Sequence, residues 1–133
     1  VVQSVTSGGN YTVVPSGGLL ALTGSLNISA GLGVASRTVS TTPITAAITD
    51  VVILADATSA SQTVNLPAAS TACATGVCRV LYIKKIDTTA NTVTIDGNST
   101  ETIDGQLTRV LSVAREGVLL ISDGSNWHMV GSF

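Results

Sequence analysis

The single histidine of this chain, His128, stands beside Trp127 and five residues after Asp123. A histidine, an aspartate and a serine can together activate the serine hydroxyl for nucleophilic attack, as in hydrolase triads. None of the 15 serines, however, has the glycine pattern of a nucleophile elbow around it. We therefore expect no enzyme activity from this chain.

Trp127 and His128 could instead contact a sugar ring or a protein partner. Trp127 is one of only four aromatic residues in the sequence, and a tryptophan with so few aromatic neighbours more often fills a core or anchors an interface. We predict that Trp127 is a core residue. A contact of Trp127 and His128 with a host glycan or an interface is the alternative.

Three Asp-Gly pairs punctuate the chain, and they are Asp96 and Gly97, Asp104 and Gly105, and Asp123 and Gly124. Their carboxylates, with Asn98, could offer oxygen ligands to calcium, but no D-x-D-x-D-G loop is present. Asp-Gly is common in tight turns because glycine tolerates positive φ. We predict that these six residues form structural turns, and we expect no metal and no cofactor.

Cys73 and Cys78 are separated by four residues in a loop of small side chains. A disulfide between them would close a very short ring and constrain little else. A zinc site is not expected, because two cysteines and one histidine fall short of four ligands. A disulfide and a pair of free thiols are both open from the sequence.

Strands must position these residues, and the clearest strand signals lie between residues 79 and 105. Residues 92–95 alternate Thr, Val, Thr, Ile, which puts the two aliphatic side chains on one face. Residues 80–83 are apolar throughout, as in a strand covered on both sides. The short polar connection 87–91 predicts a β-hairpin between these runs. The motif T-V-T-I-D-G at 92–97 recurs as T-E-T-I-D-G at 100–105.

Further short strands are predicted on either side of this stretch. Residues 51–54 and 62–66 are expected to form a second hairpin, and residues 118–121 and 126–130 are expected to be later strands. Lys84 and Lys85 should point to opposite faces of their strand. The sequence thus predicts an all-β fold, a small sandwich or barrel of short antiparallel strands.

The composition of the 133 residues favours one domain that assembles with other chains. Charged residues make up 11% of the chain, against roughly a quarter in a typical globular domain. Val, Ile, Leu, Ala, Ser and Thr provide most of the rest, so an isolated copy would expose much aliphatic surface. The net charge of −2 argues against nucleic acid as a partner, and no apolar run is long enough for a membrane helix.

The first forty residues contain no acidic residue and many glycines. Short candidate strands lie at residues 11–14, 19–22 and 26–28, and they need a template because such strands are poorly specified alone. We predict an extended N-terminal β arm over residues 1–40, used for assembly or anchoring. An all-β domain over residues 41–133 is expected to follow the break at Pro43.

Six short motifs in the second part of the chain resemble a domain near the C-termini of bacteriophage tail fibres and other virion surface proteins. They are D-V-V-I-L-A-D (50–56), V-N-L-P-A-A (64–69), Y-I-K-K-I-D (82–87), A-N-T-V-T-I-D (90–96), E-T-I-D-G (101–105) and V-L-L-I-S-D-G-S-N-W (118–127). The resemblance covers residues 37–130 and depends on the order of the motifs.

The resemblance implies a homotrimeric β domain on the outside of a bacteriophage particle. On this basis we expect a virion structural protein of a tail fibre, a head fibre or a capsid decoration, with itself and other virion proteins as partners. The alternatives are a host-adhesion tip module that binds a surface glycan and a self-assembling extracellular filament subunit.

Overall fold

The computed structural model describes residues 31–74 and 76–133 of the chain. Residues 33–133 belong to one compact unit. Eleven strands and one short helix are described, in the order β1 (Ser36–Val39), β2 (Ile44–Thr45), β3 (Val52–Ala55), β4 (Gln62–Asn65), α1 (Ala69–Ala72), β5 (Cys73–Ala74), β6 (Val77–Cys78), β7 (Val80–Lys85), β8 (Val93–Asp96), β9 (Thr108–Leu111), β10 (Gly117–Ser122) and β11 (Trp127–Ser132).

These strands form two main sheets, which confirms the all-β prediction. Sheet A has the strand order β1-β3-β7-β10-β11, and sheet B has the order β2-β4-β8-β9. Strands β5 and β6 make a separate two-stranded ribbon. Within the described ranges neither main sheet closes into a barrel.

The chain winds back and forth between the two sheets along its first half. Strands β1, β3 and β7 are parallel neighbours in sheet A, and β2, β4 and β8 are parallel neighbours in sheet B. Each of these sheet A strands is therefore followed by a strand of sheet B. The first part of the fold therefore resembles a short two-sheet solenoid. The later strands β9, β10 and β11 are added to it by antiparallel pairing.

This winding shows that both predicted hairpins were wrong. The run at 80–83 lies in sheet A and the run at 92–95 lies in sheet B, and the runs at 51–54 and 62–66 are divided in the same way. Their connections cross from one sheet to the other. Alternation reports which side of a strand is dry, but it carries no information on the neighbour that accepts the hydrogen bonds.

The restriction to antiparallel strands was also wrong, because both sheets are mixed. Within the two main sheets, antiparallel pairing joins β8 to β9, β7 to β10 and β10 to β11. The connection from β10 to β11 is a four-residue turn that reverses the chain, whereas β7 and β10 are joined through β8 and β9 of sheet B. The parallel pairs of the first half are possible because each connection includes a strand in the other sheet.

One hydrophobic cluster fills the space between the sheets. It contains inward side chains of both sheets, such as Ile53 and Ile83 from sheet A and Val64 and Ile95 from sheet B, all fully buried. Trp127 at the start of β11 belongs to the same cluster and is 1% exposed. The core thus comes from strand positions that alternate, as period-two patterning requires.

Residues 36–39, which lie inside the predicted N-terminal arm, form strand β1 and pair in parallel with β3. The candidate strands at 11–14, 19–22 and 26–28 lie outside the described residues. No helix in the described ranges is long and apolar enough to cross a membrane.

Candidate interaction surface

The outer face of sheet A carries aliphatic and aromatic side chains where a solvated sheet would carry polar ones. Its members alternate along β3, β7 and β10 with the buried core residues. We call this surface the aliphatic face, and it consists of Val52, Leu54, Val80, Tyr82, Leu119 and Ile121. Tyr82 is 37% exposed and Val80 is 40% exposed, and the others are partly exposed.

The strand register brings these side chains together in rows. Val52 lies opposite Tyr82, and Tyr82 lies opposite Leu119 on the next strand. Val80 lies opposite Ile121 in a second row. Directly opposed side chains in neighbouring strands are close enough to contact each other. The aliphatic face is therefore a continuous patch across the three central strands of sheet A.

Sheet B shows the opposite chemistry on its outer face. Its outward positions are almost all polar, and they are Thr45, Thr63, Asn65, Thr94, Asp96 and Thr108. Val110 is the exception in this set and is 43% exposed. A sheet with one apolar face and one polar face can leave its polar face in water. A sheet that is apolar on both faces is expected to be covered on both. The three central strands of sheet A, except for Lys84 at the end of β7, are of this second kind.

A buried ion pair that the sequence analysis missed joins β7 to the loop after it. Lys85 points into the protein with a fully buried side chain, and its ammonium group contacts the Asp87 carboxylate. Ala57 N donates to the same carboxylate at 2.9 Å, and Thr89 donates to it through its backbone N at 2.9 Å and its hydroxyl at 2.6 Å. The pattern held a signal for this pair, since Ile83, Lys85 and Asp87 occupy one face by period two.

The opposite orientation of the two lysines was predicted correctly. Lys84 lies on the outer side of β7, where its Nζ donates to Arg115 O at 2.5 Å and lies 5.4 Å from the Phe133 ring centroid. Lys85 lies on the inner side. The pKa of Asp87 is below its ordinary value: burial alone would raise it, but the hydrogen bonds from Lys85 and Thr89 stabilise the charged form and outweigh burial.

Trp127 and His128, proposed as a pair from the sequence, have separate surroundings. Trp127 packs in the core, where its Nε1 donates to Pro67 O at 3.3 Å. Its ring therefore has no free face for a sugar. The side chain of His128 is 45% exposed, and its neighbours are two carboxylates: Nε2 lies 2.7 Å from Asp123 Oδ2 and Nδ1 lies 3.6 Å from Asp104 Oδ1.

The carboxylates around His128 stabilise the protonated form of its imidazole. The pKa of His128 is raised, first by the hydrogen bond with Asp123, against a lowering by partial burial, and further by the negative charge of Asp104. The pKa of Asp123 is lowered to about 2 by backbone hydrogen bonds from Asn126, by His128 and by Ser125 N. In a nucleophile and base pair the imidazole would contact a serine or threonine hydroxyl or a cysteine thiol. The imidazole of His128 instead contacts Asp104 and Asp123, and so connects the turns that contain them.

We expect the imidazole of His128 to titrate above its ordinary pKa of about 6.5. Asp123→Asn should bring that pKa back toward 6.5, and Asp96→Asn, which removes a carboxylate from another turn, should leave it unchanged. The His128 to Asp123 link should stabilise the fold below pH 6.5 and lose its effect as the pH rises through the raised pKa. NMR titration of the imidazole protons measures the shift, and equal pKa values in the two variants would contradict the assignment.

Two of the three Asp-Gly pairs lie in turns, whereas Asp96 ends strand β8 and Gly97 precedes the turn at residues 98–101. Asp104 and Gly105 both have positive φ, 49° and 81°, and Ile103 and Gln106 on either side exchange two backbone hydrogen bonds, as in a type I′ turn. Gly124 has a φ of 93°. At Gly97 the requirement is space, because a Cβ there would collide with the backbone carbonyl of Glu101.

A disulfide joins Cys73 and Cys78, which are directly opposed in the ribbon of β5 and β6 with their Cα atoms 3.9 Å apart. No group of three or more metal-binding His, Cys, Asp or Glu side chains comes together in the described part of the chain. The Asp-Gly pairs and Asn98 therefore do not assemble a metal site among those residues.

Comparison with known proteins gives no identification. The chain matches no protein-family model, and no curated protein matches it significantly.

Proposed function

We propose that this chain is a structural protein of a bacteriophage particle that assembles as a homotrimer at the particle surface. The observation that carries the proposal is the aliphatic face, since it leaves most of the outer side of β3, β7 and β10 apolar in one copy. Burial of that face between copies removes aliphatic side chains from water. The order of the six motifs supports the virion as the place of assembly.

The polar outer face of sheet B fits the same proposal. Three copies that contact one another through sheet A keep the threonine and aspartate side chains of sheet B, such as Thr94 and Asp96, on the outside. Other virion proteins are the expected partners of the assembled particle. The mechanism is surface complementarity, and no reaction is part of it.

Tyr82→Lys should abolish the trimer, because it would place a charge at the centre of an interface that excludes water. Thr94→Lys is the matched control, since it introduces the same charge at the centre of the outer face of sheet B. Light scattering after size exclusion should give three times the chain mass of 13.4 kDa for the wild type and Thr94→Lys, and a monomer for Tyr82→Lys.

A wild-type monomer that remains folded at micromolar concentration would overturn the trimer. An open-ended series of masses would favour the filament subunit instead. The virion assignment has a separate test, which is mass spectrometry of density-purified particles from the source culture. The chain should be abundant in those particles, and its absence would remove the assignment.

A further inference from the structure

A cleft lies on another part of the surface, where the turn after β9 meets the end of β11. It has a volume of about 340 Å³, and Arg109, Val113, Arg115, Glu116, Ser132 and Phe133 line it. Small-molecule sites usually occupy about 300 to 1,000 Å³ and combine apolar walls with a few polar groups. The volume of this open depression lies within that range, and its lining combines apolar and charged side chains.

Positive charge is concentrated around the cleft. Arg109 and Arg115 line it, and the Lys84 ammonium group on β7 lies 5.4 Å from the centroid of the Phe133 ring. These three are half of the six Lys and Arg residues in a chain whose net charge is −2. In so charge-poor a sequence, this clustering favours an anionic ligand.

The only acidic side chain in the lining is already engaged. Glu116 accepts hydrogen bonds from Ser112 N at 2.9 Å and Val113 N at 3.0 Å, and Arg109 donates to it at 3.1 Å. Asp56 and Asp87 line a second depression that also includes Arg115, and both accept hydrogen bonds within their own loops. The acidic side chains near the cleft are therefore already hydrogen-bonded to other residues of the chain.

The two guanidinium groups keep donors for a ligand. A guanidinium has five N–H donors. Arg109 uses Nη2 for Glu116, and its Nε is buried, so only its Nη groups are available to a ligand. Arg115 donates through Nη1 to Ile86 O. Guanidinium groups match the planar geometry of a carboxylate, and they bind it with two parallel hydrogen bonds.

The apolar part of the lining indicates the body of the ligand. Val113 is 63% exposed and Phe133 is 61% exposed, so an aliphatic and an aromatic surface stand beside the cationic groups. Ser132 adds a hydroxyl at the same edge. We propose that the cleft binds a carboxylate carried on a compact ring, either a sugar acid or a small cyclic acid without hydroxyl groups. The cleft borders the aliphatic face at Lys84, which lies opposite Leu54, but the two proposals are measured separately, one as carboxylate binding and the other as the mass of the assembly.

Isothermal titration of the assembled protein with D-glucuronate, benzoate, D-glucose and inorganic phosphate tests the proposal. At least one of the two carboxylates should bind, and glucose should not. Stronger binding of glucuronate identifies a sugar acid, and stronger binding of benzoate identifies an acid with an apolar ring. Phosphate binding as strong as that of the better carboxylate would reduce the cleft to a nonspecific anion site and overturn the proposal. Silence from both carboxylates would overturn it as well.

Two variants locate the binding. Arg115→Gln should weaken the carboxylate at least about tenfold, because it removes charge-assisted hydrogen bonds, and Arg109→Gln should have a similar effect. Arg79→Gln is the matched control, since it neutralises an exposed arginine elsewhere. If Arg109→Gln unfolds because the hydrogen bond between Arg109 and Glu116 is lost, Arg115→Gln alone is sufficient for the test. Equal weakening by Arg79→Gln and Arg115→Gln would refute the cleft as the site.

Discussion

Replacing Lys85 with methionine should lower the free energy of unfolding by about 3–5 kcal/mol, because it leaves the Asp87 carboxylate buried without its cation. Methionine keeps most of the length and volume of the lysine stem, so the loss measures the charge and its hydrogen bonds. Lys85 Nζ also donates to Thr89 O at 3.1 Å. That bond holds the loop after β7 against the core and would be lost too.

Lys84→Met is the matched control for this variant. Lys84 precedes Lys85 in the same strand but lies on the outer side, and exposed charge interactions contribute less than about 1 kcal/mol. Urea unfolding at one fixed protein concentration measures both variants, since assembly makes stability depend on concentration. Equal losses at the two positions would show that the buried ion pair does not stabilise the fold.

The same pair predicts how stability depends on pH. The pKa of Asp87 is lower in the folded protein than its ordinary value of about 4. Its contribution to stability is therefore complete above pH 4 and decreases as the pH falls toward the lowered pKa. Lys85→Met should weaken this acid sensitivity, because the folded carboxylate then lacks the partner that held its pKa down.

Trp127→Ala should also lower the free energy of unfolding by about 3–5 kcal/mol, because it leaves a large cavity in the core. Trp127 is 1% exposed, and its backbone N donates to Thr102 O at 2.8 Å. Its side chain lies in the hydrophobic cluster between the two sheets, where its Nε1 donates to Pro67 O at 3.3 Å. Few other aromatic side chains exist to refill that space.

Phe133→Ala is the control for the size of the residue. Its ring is 61% exposed, and truncation there should cost less than about 1 kcal/mol. Chemical unfolding followed by far-UV circular dichroism compares the two variants. A loss at Phe133 as large as that at Trp127 would contradict the assignment of Trp127 as the core residue.

The sequence predicted the positions of the strands much better than their partners. The run predicted at 80–83 is the core of β7, and the run predicted at 118–121 lies inside β10. Alternation and β-branched composition act locally, so they mark strands without any knowledge of the rest of the chain. Sheet membership depends on where the connection 87–91 leads, and a polar five-residue segment can reverse a strand or cross to a facing sheet.

The candidate surfaces were predictable only in part. The low charge content indicated that some aliphatic surface must be covered, but the aliphatic face itself requires the register that aligns Val52, Tyr82 and Leu119. The cleft was not predictable, because Arg109 and Phe133 are distant in sequence and meet only when β9 and β11 take their places. The alternation with Ile83 places Lys85 on the inner side of its strand. The burial of its side chain was not predicted, because lysine is rarely buried.

The parallel pairing of β3 with β7 sets Val52 opposite Tyr82, so residues 52–81 make one full circuit from a place in sheet A to the equivalent place on the adjacent strand. Duplicating such a circuit would add one strand to each main sheet. The pairing register of the other strands would not need to change. Longer forms of this two-sheet architecture could thus be built by copying whole circuits.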